Sequence, residues 1–393
     1  MHPRTIAAIG LVALAVPSAV MAVDSYGDDQ IEITVSEPWT IASAPPTFAF
    51  PTLRQIGPNS LQLAVWSVPD TWLKKEDGRM TLIDTEDGGR TWGTPVVKPS
   101  SEAGAQSFLR CKDGRCVCLD HNTYQTPDAR TTSCFVGRSD DGKGFTWGAC
   151  RVTFPQNILK WKNDTAWMYF SRSIVELADG SLLATMYGNF DADITDDKVR
   201  KDFNYGYQKI RNRTVLVRST DGGVHWDYYS TVAYNPNAVG EGYDEPVMAR
   251  TADGDLLCVI RRGSAMPMVS CRSRDDGHTW SEPALLPEYA KSVFPDMLLM
   301  SNGVLACSYG RPDNQIIFSV DGTGSQWTSP TVIYADPHQP KPCSTCGYTS
   351  IREVAPGRLL YVYSFLEDLI KPGAPSQIRG VLIDVRRRQT PIQ

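Results

Sequence analysis

Three things are missing from this 393-residue chain, and each absence removes a class of function. Beyond the first two dozen residues, no apolar run approaches the roughly 20 residues that a membrane span needs. No basic stripe or cluster is present and the net charge is −5, which argues against nucleic acid or an anionic membrane surface as partner. Cys343-x-x-Cys346 has no second cysteine pair at metal-site spacing, so the sequence offers no zinc site; the expected metal and cofactor content is none.

The N terminus, MHPRTIAAIGLVALAVPSAVMA, has a short basic start, an apolar stretch and a Val20-Met21-Ala22 small-x-small end. This predicts a secretory signal peptide over 1–22 and an exported mature chain from about residue 23, with no membrane anchor. All ten cysteines lie beyond it, and an even number in an exported chain predicts disulfides of unspecified connectivity.

One phrase recurs five times: TEDGGRTW (85–92), SDDGKGFTW (139–147), STDGGVHW (219–226), SRDDGHTW (273–280) and SVDGTGSQW (319–327). Its aspartates, Asp87, Asp141, Asp221, Asp275 and Asp321, are 54, 80, 54 and 46 residues apart. The phrase has a structural logic. Asp accepts turn amides, Gly supplies a positive φ, and Trp buries its face between sheets. These aspartates are therefore expected to build turns, and His225 and His278 inside two of the phrases are expected to be turn residues.

Apolar hairpins precede the phrases, at 56–66, 111–121, 177–189, 251–263 and 300–312, with a sixth at 354–364. Short strands with glycine turns at a period near 50 residues predict an all-β fold, a six-bladed β-propeller of four-stranded antiparallel sheets in one domain over 23–393. The sixth repeat lacks the Asp phrase, so its outer strand is expected from the N-terminal segment, at Ile31–Val35.

The five Asp boxes over 85–327, on six blades, resemble the sialidase superfamily. That resemblance implies a glutamate opening one inner strand and an arginine closing the next, matched by Glu245 and Arg261. It implies a further arginine on the following blade, matched by Arg311 in CSYGRPD, and a tyrosine opening the last, matched by Tyr348 in CGYTSIREV. Spacing agrees: Glu245 and Tyr348 each stand nine residues before their hairpin glycines, Gly254 and Gly357. Arg261 and Arg311 stand seven and eight after Gly254 and Gly303. In an antiparallel hairpin the start of one strand and the end of the next share a rim, so these four are expected on the rim opposite the Asp boxes. The same register brings His121, Tyr187 and Phe294 near that funnel, and Arg172 is a further candidate for substrate contact.

Sialidase-like chemistry would use Arg261 and Arg311 to fork a sugar carboxylate. Tyr348 would be the nucleophile, its proton taken by Glu245, and a first-blade aspartate, Asp70 with Asp77 as second choice, the acid/base. The chain departs from the family at Phe48-Ala49-Phe50-Pro51, where Ala49 stands in place of a third clamp arginine; Arg54 lies on the wrong side of its strand by parity. Three functions follow: an exo-glycosidase removing a terminal acidic sugar (a sialic acid or related sugar acid), an exo-acting lyase on a uronate with His121 or Tyr348 as base, or a non-catalytic glycan-binding propeller. The expected partner is a glycan, and the expected state a monomer. The polar segment 190–209 is expected over the funnel, its acidic cluster a solvated turn.

Overall fold

The computed structural model describes residues 29–388, apart from 45–47, 68–78, 105, 162–163, 203–205, 207, 312, 338–343, 368–370 and 372. The signal segment and the first-blade loop carrying Asp70 and Asp77 therefore lie outside the described residues.

The described chain is almost entirely strand, arranged in sheets that follow the chain order. Three sheets are simple four-stranded meanders: Ala49–Gln55 to Val96–Pro99, Asp244–Arg250 to Ala284–Leu285, and Asp296–Leu299 to Thr331–Tyr334. The C-terminal sheet orders Thr349–Ala355, Arg358–Phe365 and Ser376–Arg387 beside Ile31–Val35, in antiparallel register from Ile31 opposite Arg387 to Val35 opposite Ile383. This N-terminal strand thus completes the last sheet, as the missing sixth Asp box led us to expect. Trp39–Ala44 adds a fifth strand to the same edge.

The second and third meanders differ from the expected separate sheets: they join into one sheet of nine strands. Parallel bridges cause this, at Ser173 with Phe108 on the inner side and at Arg151–Thr153 with His225–Asp227 on the outer side.

Burial follows position within each sheet. The second strand of the fourth-repeat meander, Leu256–Arg261, is buried at every residue, so its sequence reads as a continuous apolar run ending in arginine. The outermost strand Val96–Pro99 has no buried residue, and Val97 is 61% exposed. Apolar cores lie between successive sheets; Ile31, Ile33, Phe318 and Tyr361 share one, and Met248, Cys258 and Val269 another.

The Asp boxes are turns between third and fourth strands. Asp87 Oδ1 accepts the amides of Arg90 and Thr91 at 2.9 Å, and Asp275 Oδ1 that of Thr279 at 2.9 Å. Trp226 is fully buried and donates to the Gly223 carbonyl at 2.9 Å. Boxes meet hairpins on one rim: Gly88 N donates to Asn59 O, and Ala252 N to Gly322 O. His225 binds Asp221 at 2.6 Å, and His278 faces the Tyr229 hydroxyl at 2.6 Å, both within this rim.

The disulfide expectation is not met among the described residues, where nine cysteines are buried thiols. Cys134 and Cys150 face each other across adjacent strands, as do Cys258 and Cys271. Burial pushes these thiols up, Cys271 to about 12. Cys343 lies outside the described residues; Cys346 contacts the Ser364 hydroxyl at 2.6 Å.

Candidate functional site

The rim opposite the Asp boxes is shaped by strained inner strands. Phe50, Glu245 and Phe294 have φ of 53°, 40° and 30°, and each precedes a proline. Bulky side chains rarely adopt this region, at a cost of about 1–3 kcal/mol each. Two of the three lie at register shifts, between Ala49 and Thr52 and between Asp244 and Val247. A bulge there redirects a side chain that strand alternation would otherwise send between sheets. Arg311, with φ 63°, lies where two backbones approach closely: a Cβ on Gly347 would stand 2.7 Å from Arg311 N.

These strained residues converge on Tyr348, at the head of Thr349–Ala355. The Tyr348 hydroxyl donates to Glu245 Oε1, and the other oxygen of Glu245 accepts Arg261 Nη1 at 2.7 Å and Phe294 N at 3.2 Å. Phe50 and Phe294 flank the phenol ring, centroids 4.5 and 5.4 Å away. Burial alone would raise the Glu245 carboxyl, but the charge of Arg261 and the hydrogen bonds from Tyr348 and Arg261 outweigh it and hold it below the ordinary carboxylate value. Burial, then the neighbouring Glu245 charge, raises the Tyr348 phenol well above 10. The resting pair is thus a neutral phenol hydrogen-bonded to an ionised carboxylate, poised so that the carboxylate takes the proton as the phenol oxygen attacks.

His121 and Tyr187 form a second cluster. His121 Nδ1 bonds the Phe170 carbonyl at 2.7 Å, which leaves Nε2 as the acceptor, 3.5 Å from the Tyr187 hydroxyl. The ring stacks on Tyr169 at 5.3 Å. Burial lowers the imidazole below 6.5, against opposing effects of the Phe170 carbonyl and Glu245, so it is neutral at pH 7. Burial, then the charges of Asp244 and Glu245, raises Tyr187.

Two expected substrate contacts are corrected. Arg172, taken as reaching the funnel, has a side chain only 3% exposed; it pairs with Asp296 at 3.3 Å, donates to the Thr349 carbonyl and lies 4.7 Å over Phe294. It lies beneath the site because its strand carries an irregularity between Phe170 and Ile174 that seats it among the inner strands. Arg261 does not offer an open fork: besides Glu245 it binds Glu241, whose Oε2 is 2.9 Å from Nη2. Arg311 donates Nη2 to the Cys346 carbonyl at 2.8 Å and has no ion-pair partner among the described residues. Arg54 is buried, bound to Gln62 and the Ala103 carbonyl, away from the funnel as parity required.

Sequence reasoning missed Glu241, Asp244 and Phe50. Asp244 is buried beside Glu245; burial and that charge raise its carboxyl well above 3.8. The readable signals were the repeated aromatic-or-acid-before-proline steps and the Gly240-Glu241-Gly242 triplet. In the segment 190–209, Asp196 caps the helix Asp197–Lys201 by accepting Lys198 N at 2.9 Å. Asp191 pairs with Arg200, and Asp193 with Arg213 at 2.6 Å.

No family model matches the chain, and no curated protein matches it. Solved structures do. A protein of unknown function from Dyadobacter fermentans shares 19% identity over 90% of this chain and 99% of that one, at TM-score 0.68. A Hadza microbial sialidase shares 15% over 84% and 65%, at TM-score 0.58. The GH93 α-L-arabinofuranosidase of Fusarium graminearum shares 12% over 88% and 98%, at TM-score 0.59. At these identities the likeness is one of fold, a glycosidase-like, sialidase-like propeller. No helix among the described residues is long and apolar enough to cross a membrane.

Proposed function

We propose that this chain is an exported exo-glycosidase of sialidase type, a six-bladed propeller in which the nine-stranded sheet counts as two blades, removing a terminal acidic sugar from a glycan. The observation that carries the reading is the Tyr348–Glu245–Arg261 relay, with a neutral phenol bonded to a carboxylate kept ionised by an arginine. Sialidase and arabinofuranosidase neighbours in fold support glycoside hydrolysis as the class.

In this mechanism Glu245 accepts the phenol proton as Tyr348 Oη bonds to the anomeric carbon. The glycosidic bond breaks and the leaving oxygen takes a proton from the first-blade acid, assigned to Asp70 with Asp77 as second choice. Water, deprotonated by the same aspartate, then displaces the tyrosine, and Glu245 returns the proton to the phenol oxygen. Arg311 holds the substrate carboxylate through its unpaired edge.

A second reading, an exo-lyase on a uronate, is favoured by one observation: His121 is neutral, with its tautomer set by the Phe170 carbonyl so that Nε2 is free to take a proton. One assay separates them. Oligosaccharides ending in sialic acids, other ulosonates and uronates are incubated with wild type and Tyr348→Phe, following released sugar and ultraviolet absorbance. Saturated sugar released by wild type and lost in the variant is the expected result. An unsaturated product transfers the assignment to the lyase, and no product from the whole panel refutes catalysis in favour of glycan binding.

A further inference from the structure

The surroundings of Tyr348 narrow the substrate class, on the reading that Tyr348 is the attacking group. In a 2-ulosonic acid the carboxylate is attached to the reacting carbon itself, so its binding group must adjoin the nucleophile. In a uronic acid the reacting carbon carries hydrogen, and the carboxylate lies across the ring.

Next to the Tyr348 hydroxyl the described residues offer no open cation. Phe50 and Phe294 occupy two sides, and Ala49 is small, apolar and 3% exposed. Arg172 lies beneath and is committed to Asp296 and the Thr349 carbonyl. Arg261 is committed on one side to Glu245 and capped on the other by Glu241, at 2.9 and 3.2 Å.

Glu241 is itself held in place. Its N–H donates to the Arg262 carbonyl at 2.8 Å, and its carbonyl accepts Asn212 N at 2.9 Å. Gly240 and Gly242 on either side have φ of 71° and 87°, and a Cβ on either would meet backbone at 2.2 or 2.5 Å. The Glu241 side chain remains 30% exposed, so a carboxylate approaching Arg261 meets a fixed carboxylate first. Sugar hydroxyls, which donate, meet an acceptor. Arg311, without a carboxylate partner among the described residues, is the cation left for an acid group placed away from the reacting carbon.

We propose that the terminal sugar is a uronic acid and not a 2-ulosonic acid, and that Glu241 is the specificity residue, excluding a carboxylate at the anomeric carbon and accepting hydrogen bonds from ring hydroxyls. Methylumbelliferyl glycosides of glucuronic and galacturonic acid, in both anomers, are compared with those of N-acetylneuraminic and deoxynonulosonic acids, using wild type, Glu241→Gln and Tyr348→Phe. The expected kcat/KM for the best uronide exceeds that of either ulosonide by about 100-fold or more. Glu241→Gln is expected to narrow this ratio by about tenfold, mainly by raising the uronide KM. Preference for an ulosonide, lost with Tyr348→Phe, overturns this inference and leaves the Tyr348 reading standing. Full activity of Tyr348→Phe, or no release from any glycoside by wild type, overturns that reading and this inference with it. If Glu241→Gln fails to fold by circular dichroism, the wild-type ratio alone decides.

Discussion

Replacing Glu245 by glutamine removes a charge and little else, and its consequences can be worked through the site. The amide retains the size and one acceptor, so the Arg261 bond at 2.7 Å can persist, but it cannot take the Tyr348 proton. Loss of a positioned base lowers rate by about 10²–10⁴-fold. At 1.36 kcal/mol per decade this is roughly 3–5 kcal/mol of transition-state stabilisation. Stability should change less than for most broken buried pairs, which lose about 3–5 kcal/mol. Arg261 keeps Glu241 at 2.9 Å, and Asp244, whose raised carboxyl owes its second-largest contribution to the Glu245 charge, ionises more readily once that charge is gone. The assay is kcat/KM on the best glycoside together with urea unfolding. The expected pattern is a loss of at least 100-fold in kcat/KM, carried by kcat, with a stability change of about 2 kcal/mol or less. A variant within threefold of wild-type kcat/KM would refute Glu245 as the proton acceptor. A large stability loss with unchanged kcat in the folded fraction would make the relay a structural ion pair only.

Arg172→Met leaves the buried Asp296 with only Arg352, at 3.0 Å, as ionic partner, and removes the donor to the Thr349 carbonyl. It is expected to destabilise by about 3 kcal/mol in urea unfolding, and a change under 0.5 kcal/mol would count against the buried pair. Acid sensitivity should come largely from the Asp boxes. Turn hydrogen bonds hold Asp275 down to about 2, and Asp87, Asp141, Asp221 and Asp321 below 3.8. Depressed carboxyls contribute stability that is fully present above the unfolded value near 4 and is lost as pH falls through the folded values. The thermal midpoint should therefore drop steeply between about pH 4 and pH 2, less so in Asp275→Asn, and an equal drop in that variant would exclude the box as a source.

The repeat was legible because its physics is local. An Asp–Gly–Trp turn satisfies its own amides within eight residues, so the same letters recur wherever the same turn recurs. Hairpin register is also local, which is why counting from Gly254 and Gly357 brought Glu245 and Tyr348 to one rim, and why strand parity excluded Arg54. Ile31–Val35 could be paired with the C-terminal sheet because one repeat lacked an outer strand.

What depended on tertiary structure was which charge meets which. Arg261 and Arg172 read alike in sequence, each an arginine on an inner strand. Only the folded backbone seats Arg172 against Asp296, 124 residues away, and places Glu241 from the preceding loop over Arg261. The joining of the second and third meanders depended on parallel bridges between strands with no local signature. Nor could the cysteine count tell that the nine described ones lie as buried thiols. Local turn chemistry thus settled the architecture and the rim on which the candidate residues stand. The pairing of charges, and with it the free arginine left to a substrate, follows from long-range packing, because an ion pair is set by distance in space and not by spacing along the chain.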